Sequence, residues 1–113
     1  VLPEPEILST ARDADSVRLR LRIQAGLIQF QGHFDHFPLL PGVVQVDWAI
    51  RLGRNHFSLP PNFRRLSALK FMRVTQPGAE LELSLSYNGA GELSFRYARD
   101  GDVYSSGRAL FTD

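Results

Sequence analysis

Three kinds of residue in one short run suggest chemistry. His33 stands between Gly32 and Phe34, an apolar segment broken by Pro38 and Pro41 follows, and Gly42-Val43 then leads to Asp47. An imidazole is the side chain best suited to take up a proton near neutral pH. A carboxyl flanked by Val46 and Trp48 is costly to keep ionised if desolvated, and a carboxylic acid that holds its proton can deliver it. Between the two, the backbone N–H groups of Gly42 and Val43 open a helix and point partial positive charge outward, where a carbonyl oxygen can become an oxyanion. Base, acid and oxyanion donor form the set that removes a proton next to a carbonyl.

These groups need particular elements to hold them. Pro41 disfavours helix in the residue before it, so the helix is expected to start at Gly42 or just after. Apolar residues then recur at Val43, Val46, Ala49, Ile50, Gly53 and Phe57, with Val44 and Trp48 widening the stripe, which predicts a mostly buried helix. His33 lies fourteen residues before Asp47. The two can meet only through the fold or across a dimer interface. Arg51, one helical turn beyond Asp47, offers a competing role for the carboxylate as half of an ion pair. Gly42 also has two readings, close approach of an acyl group or simply a Pro-Gly turn.

The motif Gly32-His33-Phe34, Pro38, Pro41-Gly42-Val43 and Asp47 resembles the signature of hotdog-fold β-hydroxyacyl-acyl carrier protein dehydratases. Residues 70–74, Pro77-Gly78, the strand at 81–87 and residues 107–111 resemble that family's later strands in order, so the likeness spans roughly residues 8–112. It implies His33 as general base and Asp47 as general acid, the latter supplied by the neighbouring subunit. It also implies Gly42 and Val43 at the thioester oxygen. Phe34 and Leu39 have two readings, lining of an acyl tunnel or core, and Arg51 has the alternative of facing a substrate group. Asp in place of the more frequent Glu looks closest to the branch associated with aryl-polyene and related lipid pathways. Arg51, where these dehydratases commonly carry Gln, and the run Asp35-His36-Phe37 depart from the pattern.

The rest of the chain narrows the possibilities. With 113 residues and one apolar pattern throughout, it reads as a single domain over residues 1–113. A net charge of +1 and a pI near 8.4 point to neither nucleic acid nor a membrane surface as partner. The absence of cysteine excludes disulfides, thiol nucleophiles and Cys-ligated zinc. His33 and His36 lack a firm third ligand, so no metal is expected. No apolar run reaches membrane-spanning length and no leader pattern is present, so a cytoplasmic protein without membrane insertion is expected.

Strands are expected at residues 7–11, 16–23, 27–30, 66–74, 81–87, 93–97 and 103–111. The second alternates Val17, Leu19, Leu21 and Ile23 with Arg18, Arg20 and Arg22, which predicts one buried face and one basic outer face, either solvated or turned to an acidic carrier protein. One early helix and a late strand meander make an α+β layer arrangement. The resemblance makes that a hotdog fold, an antiparallel sheet wrapped around one long central helix, and implies a homodimer. The expected activity is dehydration of a β-hydroxyacyl thioester on acyl carrier protein, without cofactor. A hotdog acyl thioesterase and a non-catalytic acyl-binding partner are the alternatives.

Overall fold

The computed structural model describes residues 4–24, 40–76 and 78–113. Its elements run β1 (Glu6–Arg12), β2 (Ser16–Arg22), α1 (Gly42–His56), β3 (Asn62–Phe71), β4 (Glu80–Tyr87), β5 (Glu92–Arg99) and β6 (Asp102–Thr112). The six strands form one antiparallel sheet in the order β1-β2-β4-β5-β6-β3. His33, Phe34, Leu39 and the strand expected at 27–30 lie outside the described residues.

Register turns alternation into a continuous inner face. Leu19 stands opposite Leu83, Leu83 opposite Tyr97 and Tyr97 opposite Ser105, while the adjacent row runs Val17, Leu85, Phe95, Gly107. Onto these rows α1 lays Gln45, Trp48, Ala49 and Leu52, all buried, at the three- and four-residue spacing of one helical stripe. Full burial of each large apolar side chain contributes roughly 1.5–3 kcal/mol. Gly53 lets the helix approach, because a Cβ there would lie 2.6 Å from Leu93 Cδ2. The helix ends at the β-conformation of Phe57, and Arg12 Nη2 donates to the His56 carbonyl at 2.7 Å, a cation at the negative helix end.

Three expectations change. Val43 is 76% exposed, because the sheet faces the stripe through Gln45, Trp48 and Leu52 and leaves Val43 outside it. The strand expected at 66–74 runs instead over Asn62–Phe71, since pairing with β6 begins at Asn62 opposite Thr112 and ends at Phe71 opposite Ser105. It carries an irregularity at Ala68, which adopts φ +51°. Asp47 is not deeply buried either, as its side chain is 41% exposed.

Candidate active site

The first turn of α1 has the features of an open donor site. Pro41 is its cap residue, no side chain among the described residues caps it, and no acidic residue sits in its first turn. The Pro41 carbonyl accepts from Val44 N at 3.1 Å and Gln45 N at 3.3 Å, which leaves the amides of Gly42 and Val43 ahead of the helical ladder. Beside them lies a groove of about 330 Å³ lined by Leu40, Gly42, Gln45, Phe71, Val74 and Thr75, among others. Phe71 crosses directly over Gly42: a Cβ on the glycine would fall 2.6 Å from the ring's Cζ. A side chain at this position would therefore have to displace the Phe71 ring.

The groove is held by backbone ties and by one buried polar knot. Leu40 N donates to the Thr75 carbonyl at 2.7 Å, and Ile23 N donates to the Ala79 carbonyl at 2.8 Å. Ile23 and Leu40 are thus both bonded to the β3–β4 connection. Gln45 bonds three ways: its Nε2 donates to the Leu40 carbonyl at 3.2 Å, its Oε1 accepts from Ser105 Oγ at 2.7 Å, and its carbonyl accepts from Tyr97 Oη at 2.7 Å. Burial pushes the Tyr97 phenol well above its ordinary pKa, with the nearby negative charge of Asp47 adding to the effect. Thr75 Oγ1 is buried in the groove wall with no hydrogen-bond partner among the described residues.

Asp47 follows Val43 by one turn on the partly open face of α1. Arg51 Nε lies 3.0 Å from Asp47 Oδ2, and Arg51 Nη1 lies 3.7 Å from Glu4 Oε1. The closer contact is Coulombic, because Arg51 Nε and Nη2 are buried with no aligned hydrogen-bond acceptor among the described residues. A half-exposed pair at this spacing stabilises by only about 0.5 kcal/mol. Arg51 is thus turned toward the two carboxylates.

Gly42, Val43, Asp47 and Arg51 share one helix, whereas His33, Phe34 and Leu39 lie outside the described residues. Sequence reasoning passed over Gln45, Tyr97, Ser105, Thr75 and Phe71. Gln45 carried a readable signal: with Trp48, Ala49 and Leu52 it occupies the buried stripe, and a polar side chain there needs partners. Thr75 and Ser105 carried none, since nothing local marks which hydroxyl a fold will bury.

The sheet and helix together have the architecture of a hotdog domain, and structural comparisons agree. A chain of the dehydratase heterocomplex ApeI:P from Xenorhabdus doucetiae superposes with a TM-score of 0.89 at 29% identity, covering 96% of this chain and 97% of that one. An uncharacterized protein from Erwinia carotovora subsp. atroseptica gives a TM-score of 0.79 at 30% identity, over 99% and 97% of the two chains. A thioesterase superfamily protein shares the fold alone, at 22% identity and a TM-score of 0.63, with 87% of this chain covering 49% of that one.

The model of the ApeI-like family, described as ApeI dehydratase, matches residues 9–108. This chain belongs to the ApeI-like dehydratase family. The 3-hydroxyacyl-[acyl-carrier-protein] dehydratase FabZ of Roseiflexus castenholzii is 30% identical over 93 residues, an alignment covering 73% of this chain and 65% of that protein. Among the described residues, no helix is long and apolar enough to cross a membrane.

Proposed function

We propose that the protein dehydrates a β-hydroxyacyl thioester carried on acyl carrier protein to the trans-enoyl thioester. The carrying observation is that Asp47, half-exposed, stands one turn from the uncapped amides of Gly42 and Val43, beside an apolar groove. In this reading the thioester oxygen accepts from the Gly42 N–H, and His33 removes the α-proton. The α-carbon electron pair forms the double bond, the β C–O bond breaks, and the hydroxyl leaves as water with a proton from Asp47. Phe34 and Leu39 line the acyl path, no cofactor takes part, and the reaction belongs to the cytoplasm.

A homodimer fits the same reading. Phe63, Leu69 and Phe71 on the edge strand β3 are each 39–49% exposed, an apolar edge of the kind a second copy covers. One observation favours the thioesterase alternative: Asp47 faces the Arg51 guanidinium, and a carboxylate can activate water instead of protonating a hydroxyl. The acid role requires that pair to loosen when substrate binds.

Incubation with β-hydroxyacyl-carrier substrate followed by mass spectrometry of the carrier separates the readings. Dehydration predicts loss of one water with the thioester intact. Release of free acid supports hydrolysis instead, and an unchanged carrier leaves only the acyl-binding role. His33→Ala is expected to lower turnover by roughly a hundredfold or more, and full activity in that variant overturns the base assignment.

A further inference from the structure

The sheet face turned away from α1 carries cations that no described residue pairs. Arg18 on β2, Arg96 on β5 and Lys70 on β3 fall in one row: Arg18 is opposite Ser84, Ser84 opposite Arg96, Arg96 opposite Ser106, and Ser106 opposite Lys70. Arg108 on β6 stands one pleat away, opposite Ser94 and Ser67. All four cationic residues are exposed, and alternation places them outward because Val17, Phe95, Tyr97 and Gly107 face inward. Two adjoining shallow depressions of about 290 and 320 Å³ lie along the row and share Ser94, Phe95 and Arg96.

Nearby residues show how this sheet treats a merely solvated arginine. Arg20 and Arg22, on the same strand as Arg18, pair with Glu80 and Glu6, and Arg99 pairs with Asp100. None of Arg18, Lys70, Arg96 and Arg108 has an ion pair or hydrogen bond among the described residues. The nearest acids by register, Glu82 and Glu92, flank Arg96 and Arg108 by one pleat and pair with neither.

We propose that this outer face docks an acidic helix of a protein partner. Strands repeat at about 4.8 Å, which sets Arg18, Arg96 and Lys70 at intervals of roughly 10 Å. Carboxylates at positions i, i+7 and i+14 of a helix repeat at about 10.5 Å, so one acidic helix laid across the strands meets all three. Hydroxyls of Ser84 and Ser106, between the cations, supply further donors to the same carboxylates. Nucleic acid and anionic membranes fit less well: the net charge is only +1, and an extended anion would run onto Glu80, Glu82, Asp100 and Asp102 at one end of the same sheet. A partner bound here sits across the sheet from α1 and leaves the groove at Gly42 open, so it is distinct from a carrier presenting the acyl group.

The test uses the whole chain and a fluorescent synthetic helix with Glu at i, i+7 and i+14, measured by anisotropy. Binding should weaken on the order of tenfold in the double variant Arg96→Glu, Arg108→Glu, and fall steeply with added salt. It should be unchanged in Arg99→Glu and absent for a peptide with Gln in place of Glu. If charge reversal disturbs folding by circular dichroism, Arg96→Gln, Arg108→Gln provides the same comparison. Absence of binding, or equal binding by the variants, overturns the proposal. So does tighter, variant-sensitive binding to phosphatidylglycerol vesicles or to a DNA duplex, which would assign the face to those partners.

Discussion

Strands β2 and β3 are both rich in apolar residues, yet the fold treats them in opposite ways. Val17, Leu19 and Leu21 on β2 are 0–1% exposed, while Phe63, Leu69 and Phe71 on β3 are 39–49% exposed. The difference is position. β2 lies inside the sheet between β1 and β4, with its apolar side chains on the face that α1 covers, whereas β3 ends the strand order with one edge unpaired among the described residues. The body of α1 over β4 and β5 forms a closed region, and β3, the connection after it and the first turn of α1 form an open one. The backbone amides and the apolar groove of the candidate site are in the open region, and the Asp47–Arg51 pair adjoins it on the partly exposed side of α1.

The largest expected effect lies in the closed region. Trp48→Ala removes a fully buried indole and should cost about 3–5 kcal/mol in urea unfolding. Phe63→Ala, at the open edge, should cost about 1 kcal/mol in dilute protein, and more at high concentration if a second copy covers β3. Equal losses at every concentration would erase the contrast between the two strands.

Gly42 joins the regions and tests which one needs it. Gly42→Ala places a methyl against the exposed ring of Phe71, the far end of a side chain free to move, so folding should survive. Turnover should fall roughly a hundredfold, because a displacement near 1 Å at a reacting carbonyl costs about that much. Adding Phe71→Ala relieves the ring contact but not the acyl contact. Rescue of turnover by the double variant would show that the glycine serves β3 alone.

The closed region was also the more legible in sequence. Period-two alternation at Val17, Leu19 and Leu21 and at Leu81, Leu83 and Leu85 is a local pattern, so β2 and β4 could be placed within a residue or two. Pro41 marked the start of α1 through steric effects on its own neighbours. β3 was misplaced because its apolar residues sit on an irregular edge strand, where an irregularity at Ala68 interrupts alternation. Asp47 was misjudged for a related reason. Flanking Val46 and Trp48 suggest burial, but neighbours in sequence point to different sides of a helix, and only the sheet's position decides which side is covered. The Gln45–Ser105 bond spans sixty residues, and no local pattern encodes it.

The smallest effect probes how tightly the closed region excludes water. Tyr97 is buried and donates to the Gln45 carbonyl, and burial raises its folded pKa well above the value near 10 of a free phenol. Below about pH 10 both folded and unfolded chains keep this proton, and the contribution to stability is constant. As pH rises past that point the unfolded chain releases a proton that the folded chain retains, so the unfolded state is favoured by about 1.4 kcal/mol for each further unit. Tyr97→Phe removes that slope, while losing about 1 kcal/mol at every pH with the hydrogen bond. Urea unfolding of both proteins between about pH 9 and about pH 11 should therefore show the stability difference shrinking and then reversing as alkalinity increases. A difference independent of pH would mean that water reaches the phenol, and that the body of α1 is as open as its first turn.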